Sequence, residues 1–94
     1  MINIRAKIEL FRVRKEPFLT GYRPLFNFIA EMKTSGRITL LDRNEFAPGN
    51  SAIVEISFLE KAYLGPDFAP GLHFTFDEGG EPIGKGTVVE ILKS

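Results

Sequence analysis

The sequence contains no cysteine and a single histidine, His73. Without cysteine there is no disulfide, no thiolate ligand and no thiol nucleophile, so a fold of this size must hold by packing alone. One imidazole cannot assemble a nitrogen–sulfur metal site, and no Ser/His/Asp set forms around it. The expectation is a non-enzymatic chain with no catalytic residue, no cofactor and no metal. Long apolar runs are missing as well. Nothing approaches the roughly 18 residues of a membrane span, and no charged-then-apolar leader opens the chain. A cytoplasmic protein without membrane contact is expected. Nor is there an excess of one charge. Twelve basic and twelve acidic side chains cancel, so no whole-molecule field draws the chain to nucleic acid or membrane. The distribution is uneven, however. Residues 1–24 carry Arg5, Lys7, Arg12, Arg14, Lys15 and Arg23 against Glu9 and Glu16, a local +4 that residues 25–94 offset with −4.

What is present is apolar and aromatic. Ninety-four residues make one domain, 1–94, and 44% apolar content with nine phenylalanines suffices for a core. Each buried ring contributes roughly 1.5–3 kcal/mol. The stretch that organises the rest is Gly21–Met32, GYRPLFNFIAEM. Phe26, Phe28, Ala30 and Met32 recur every second residue, the period of a strand with one buried face. Pro24 stands at its start, where a missing backbone donor does least harm.

In chain order, Ile4, Ala6, Ile8 and Leu10 alternate with Arg5, Lys7 and Glu9 in a first strand, which Phe11–Arg14 prolongs through a bulge. Lys15–Thr20 is a turn. Thr34-Ser35-Gly36 turns the chain out of the organising strand, and Arg37–Leu41 is a short strand with Ile38 and Leu40 inward. Asp42–Asn50 is a loop. Over Ser51–Ala62, Ala52, Val54, Ile56 and Phe58 alternate inward; β-branched density favours strand over helix there. Tyr63–Gly71 is a loop with Phe68 tucked inward. Leu72–Phe76 and Ile83–Leu92 complete the set, joined by a turn at Asp77–Pro82. Short strands punctuated by glycine and proline indicate an all-β antiparallel barrel or sandwich.

These segments also carry a family likeness. GYRPLFNF, SGRITL, PGN ahead of a β-rich strand, and GLHFTFDEGGEPIGKGTVVEIL follow the order and spacing of one known domain. From about Ile4 to Leu92 the chain resembles the third, C-terminal domain of translation elongation factor Tu. The resemblance implies a six-stranded antiparallel β-barrel that binds rather than catalyses. It implies a protein-interaction module docking on a protein partner or, alternatively, translation-linked binding of the T-stem of aminoacyl-tRNA or of the ribosome. The family's GTPase domain and second barrel have no counterpart in these residues, so no GTP binding by this chain alone is expected.

Carried over by position, Glu78 and Gly79 match the family's Glu-Gly pair and Ser35 replaces a threonine with another hydroxyl. Ser35, Glu78 and Gly79 are therefore the candidate RNA contacts, suited to an A-form helix read by its sugars and phosphates. Leu25 stands where the family has a glutamine. Asp77 and Glu81 stand where it tends to have arginines. With Glu78 they place three carboxylates beside any phosphate backbone, which disfavours tRNA. The same DEGGE run also reads as a solvated turn that uses glycine for positive φ. Arg23, Leu25 and Ile29 are the candidate partner contacts. Leu25 and Ile29, with Phe11 and Leu59, fall on the outward phase of their strands. The Arg23 guanidinium suits either an intramolecular tie, the first expectation, or a partner. An apolar patch over Leu25 and Ile29 would favour a protein partner. A continuous basic groove from Arg5, Lys7, Arg12 and Arg14 would favour RNA. Gly79–Thr87 falls short of a phosphate-binding loop: Gly86 replaces the magnesium-binding hydroxyl and a Val-Val strand follows instead of a helix.

Overall fold

Alternation drives the architecture. In the structure, a computed structural model that describes residues 1–93, strand β1 (Ile2–Leu10) buries Ile4, Ala6, Ile8 and Leu10 and turns Arg5 and Lys7 outward. β2 (Phe18–Leu19), β3 (Leu25–Ile29), β4 (Met32–Ser35), β5 (Arg37–Leu40) and β6 (Glu45–Phe46) follow, then β7 (Ser51–Phe58), a 3-10 turn at Lys61–Leu64, β8 (His73–Asp77) and β9 (Pro82–Leu92). Seven of these strands form one antiparallel sheet in the order β4-β3-β8-β9-β1-β7-β5, and β2 and β6 form a two-stranded ribbon beside it. The sheet curls into a half-barrel. Among the described residues no helix is long and apolar enough to cross a membrane.

The phenylalanines meet on the concave side. Phe26, Phe58 and Phe76 are fully buried and Phe74 nearly so. Phe26 packs edge-on against Phe58 and Phe74 at 5.3 and 5.7 Å between ring centroids. Phe28 meets Phe74 at 5.1 Å and Phe68 at 5.3 Å. Such pairs add about 0.5–1.5 kcal/mol each beyond area burial. They stand in for the covalent staples the chain lacks.

Several expected boundaries move. The organising stretch Gly21–Met32 is not one strand. β3 ends at Ile29, and a two-residue loop, Ala30-Glu31, folds Met32 into β4 with Glu31 at φ 65°. Hairpin loops of this length ordinarily show Gly, Asn or Asp. Ala30 and Met32 instead continue the apolar alternation and hide the turn. Conversely, Thr34-Ser35-Gly36 is no turn. Thr34 and Ser35 belong to β4, and Gly36 is buried where a Cβ would lie 2.6 Å from Phe58 Cε1 and 2.9 Å from Phe26 Cε2. This glycine serves close packing rather than chain reversal. Through that one residue the chain passes from β4 at one edge of the sheet to β5 at the other.

Phe11–Arg14 does not prolong β1; the Arg14 N–H donates to the Phe11 carbonyl at 3.3 Å and closes a turn. Both the Lys15–Thr20 and the Asp42–Asn50 segments contain a strand. β2 and β6 pair there so that Phe18 and Phe46 stack at 5.1 Å, both buried. The strand expected over Ser51–Ala62 stops at Phe58, and the 3-10 turn that follows buries Leu64.

Candidate functional site

β3 lies between β4 and β8, and its register decides which candidate residues meet. Leu25 pairs with Ser35 on one side and with Asp77 on the other, so Ser35, Leu25 and Asp77 stand in one line across three strands. Glu78 and Gly79 follow Asp77 directly, and Arg23 precedes Leu25 by two residues. Ser35, Leu25, Glu78, Gly79 and Arg23 thus share one end of the sheet. Ile29 does not join them. It sits four residues away at the other end of β3, roughly 13 Å along the strand. There it is half-buried against the segment that follows the 3-10 turn, its Cγ1 3.1 Å from where a Cβ on Gly65 would lie. Leu25 is half-buried too, and of the four outward-phase positions only Leu59 is broadly exposed. No apolar patch spans Leu25 and Ile29, so the feature that would favour a protein partner is absent there.

Glu78 to Glu81 of the DEGGE run form the expected solvated turn, with Gly79 at φ 103°, whereas Asp77 does not belong to it. Asp77 is buried to 1% exposure. Its Oδ2 accepts from Lys33 Nζ at 2.6 Å and from Asn27 Nδ2 at 2.9 Å, and its Oδ1 accepts from the Gly79 N–H at 2.8 Å. Lys33 and Asn27 are themselves cross-strand partners, two positions along from the Leu25 line. Burial works to raise the Asp77 carboxyl, but the hydrogen bonds from Asn27, Lys33 and Gly79 outweigh it and hold the group below its ordinary range.

Glu78 is held from the other side. Arg14, from the turn after β1, donates to Glu78 Oε2 at 2.7 Å and to Tyr22 Oη at 3.1 Å, with its guanidinium 4.7 Å from the Tyr22 ring centre. The Tyr22 hydroxyl and then Arg14 keep the Glu78 carboxyl below its ordinary range. Burial, followed by the hydrogen bond to Glu78, pushes the Tyr22 phenol up. Two of the three carboxylates that were expected to repel phosphate are thus compensated internally; Glu81 is exposed. Neither device was legible locally. Arg14 and Glu78 are 64 residues apart, and Lys33 and Asp77 are 44 apart.

Arg23 is exposed and makes no ion pair or side-chain hydrogen bond among the described residues. The expected intramolecular tie is replaced by one from Arg14: Tyr22 turns inward over Arg14, which leaves its neighbour facing out. The basic groove is likewise interrupted. Arg5 lies 3.7 Å from Glu55 and 3.8 Å from Glu90, and Arg14 is taken by Glu78. His73 is exposed, its Nδ1 2.8 Å from Thr87 Oγ1. Gly84 and Gly86 lie within β9 against the rings of Phe76 and Phe74, where glycine allows close approach rather than phosphate binding. No family model matches this chain.

Proposed function

We propose that the chain is a non-enzymatic binding module of the elongation factor Tu third-domain kind, which docks a protein partner through the sheet end that carries Arg23, Leu25, Ser35 and the Glu78-Gly79 turn. The observation that carries this reading is the line Ser35–Leu25–Asp77 across β4, β3 and β8, with an unpaired guanidinium beside it. Arg23 beside a half-buried leucine, a hydroxyl and a turn N–H is a small polar surface with one unspent cation. Arginine with an apolar neighbour is the kind of group that anchors protein interfaces. Arg5 and Arg14, two of the four residues of the basic groove that would favour RNA, are paired with carboxylates, and Lys33 is paired with Asp77. A six-stranded barrel follows if Met32–Leu40 is read as a single strand bent at Gly36. The hydrogen bonds from the Gly21 N–H to the Ile38 carbonyl at 2.8 Å and from the Ile38 N–H to the Tyr22 carbonyl at 2.9 Å support that closure.

The second reading, contact with the T-stem of aminoacyl-tRNA through Ser35, Glu78 and Gly79, gains from one observation: Asp77 and Glu78 are neutralised by their own neighbours. A photo-cross-linking residue at the exposed position Ser35 separates the two. One discrete protein adduct in native extract, lost with Arg23→Glu and absent when the probe is moved to Ile53, is the expected result. A salt-sensitive adduct with purified tRNA instead would transfer the site to RNA. No adduct of either kind would remove both readings.

A further inference from the structure

A recess lies on the outward face of the sheet, across β1, β9 and β8. Its walls follow from register. Lys7, Thr87 and His73 are consecutive cross-strand partners, and Glu9, Lys85 and Thr75 form the next outward row. The rows lie about 7 Å apart along the strands, so Lys7 and Lys85 are diagonal neighbours over one space. Gly86, between the two outward rows, faces the core: a Cβ there would come 2.5 Å from Phe74 Cζ and 2.9 Å from Ile8 Cγ2. The glycine lets β9 pack closely over Phe74 and Ile8 beneath the two rows. The open cavity has about 680 Å³, inside the roughly 300–1,000 Å³ typical of small-ligand sites.

The chemistry of the lining is specific. Arg5, Arg14, Lys33 and Arg43 each have a carboxylate within 4.0 Å, whereas Lys7 and Lys85 have none among the described residues, although Glu9 faces Lys85 across the ladder. Two ammonium groups therefore face one concavity with their charge unspent. Thr87 fixes the His73 ring through Nδ1 and leaves Nε2 for a ligand, and Asn27 orients the Thr75 hydroxyl at 3.1 Å. Ammonium groups with imidazole and hydroxyl donors suit a phosphate dianion. Glu9 beside them can only accept, which suits a polyol hydroxyl and repels a second phosphate. Phe74, the one phenylalanine in the lining, is 4% exposed, so the imidazole of His73, tied to Thr87, is the single ring on which a nucleobase could stack.

We propose that this recess binds a phosphorylated polyol, the sugar-phosphate class, with Lys7 and Lys85 on the phosphate and Glu9 on a sugar hydroxyl. The site is separate from the β3 end, so the two readings can fail independently. Titration of the protein with ribose 5-phosphate, followed by amide NMR, should give saturable shifts at Lys7, Thr75, Lys85 and Thr87. Lys7→Gln and Lys85→Gln, both at exposed positions, should each weaken binding about tenfold with the rest of the spectrum unchanged. Glu9→Gln should weaken ribose 5-phosphate but not inorganic phosphate, and Arg23→Glu should leave binding untouched. Absence of saturable shifts at millimolar ligand, equal affinity for inorganic phosphate, tighter binding of adenosine monophosphate, or indifference to both lysine variants would each overturn the assignment.

Discussion

Replacing Lys33 with methionine isolates the force that keeps Asp77 charged inside the protein. The carboxylate has three donors, and only Lys33 brings a countercharge. A hydrogen bond to a charged group contributes about 1.5–3 kcal/mol. Because the Lys33 side chain is 42% exposed, solvent screening places its share at the lower end, about 1.5–2 kcal/mol. For a domain of this size that lowers the melting temperature by roughly 6–16 °C. The pH dependence gives the sharper test. The folded carboxyl titrates below the ordinary aspartate range, so its contribution is complete above that range and is lost as pH falls through the folded value. In Lys33→Met, burial is less opposed and the folded carboxyl rises, so the variant loses less on acidification. The gap between the two proteins should therefore be widest near neutrality and shrink below about pH 4. Adding Asp77→Asn to Lys33→Met removes a buried charge without a partner and should recover part of the loss. Calorimetry of the three proteins from pH 3 to pH 7 reads all of this. Coincident melting of wild type and Lys33→Met at neutral pH, or a gap that stays constant down to pH 3, would refute the account.

Two further outcomes follow from the same geometry. Gly36→Ala puts a methyl into the rings of Phe26 and Phe58 and should cost about 1–3 kcal/mol by urea denaturation. Gly80→Ala, with nothing within 4 Å of the added atom, should change stability by no more than about 0.5 kcal/mol; equal effects would contradict the packing role of Gly36. Glu78→Gln removes an acceptor and a negative charge that raise the Tyr22 phenol while Arg14 still lowers it. The alkaline midpoint of that tyrosine, followed by tyrosinate absorbance, should fall toward about 10, and an unmoved midpoint would discard the Arg14–Tyr22–Glu78 link.

The sequence disclosed the long strands because their burial is one-sided: Val54, Ile56 and Phe58 in β7, or Ile4, Ala6, Ile8 and Leu10 in β1, leave a period no other structure produces. It misled wherever a local signal was overruled by a distant contact. Gly36 resembles a turn residue because the rings that demand it, Phe26 and Phe58, are remote in the chain. Ala30-Glu31 does not resemble a turn, because β3 and β4 are reversed by pairing and packing rather than by a permissive residue. β2 and β6 are two residues each, too short to show any period, and exist because Phe18 and Phe46 stack. At the candidate site, strand register was needed before Ser35, Leu25 and Asp77 could be seen in one line. The pairing of Arg14 with Glu78 and of Lys33 with Asp77 left no trace in local composition. Arg23 was therefore read first as a tie, when the tie was made by another arginine.

The passage of the chain through Gly36 bears on how the protein behaves in a crowd. The outermost ladders of a sheet ordinarily present unfilled amide and carbonyl groups to any extended stranger. Here both outermost positions are held by four-residue strands, β4 and β5, that succeed each other in the chain. The Gly21–Tyr22 backbone occupies the far side of Ile38. Little template is left for an incoming strand. A molecule without disulfides gains from this a low tendency to seed fibres, secured by the brevity of its margins rather than by charges placed along them.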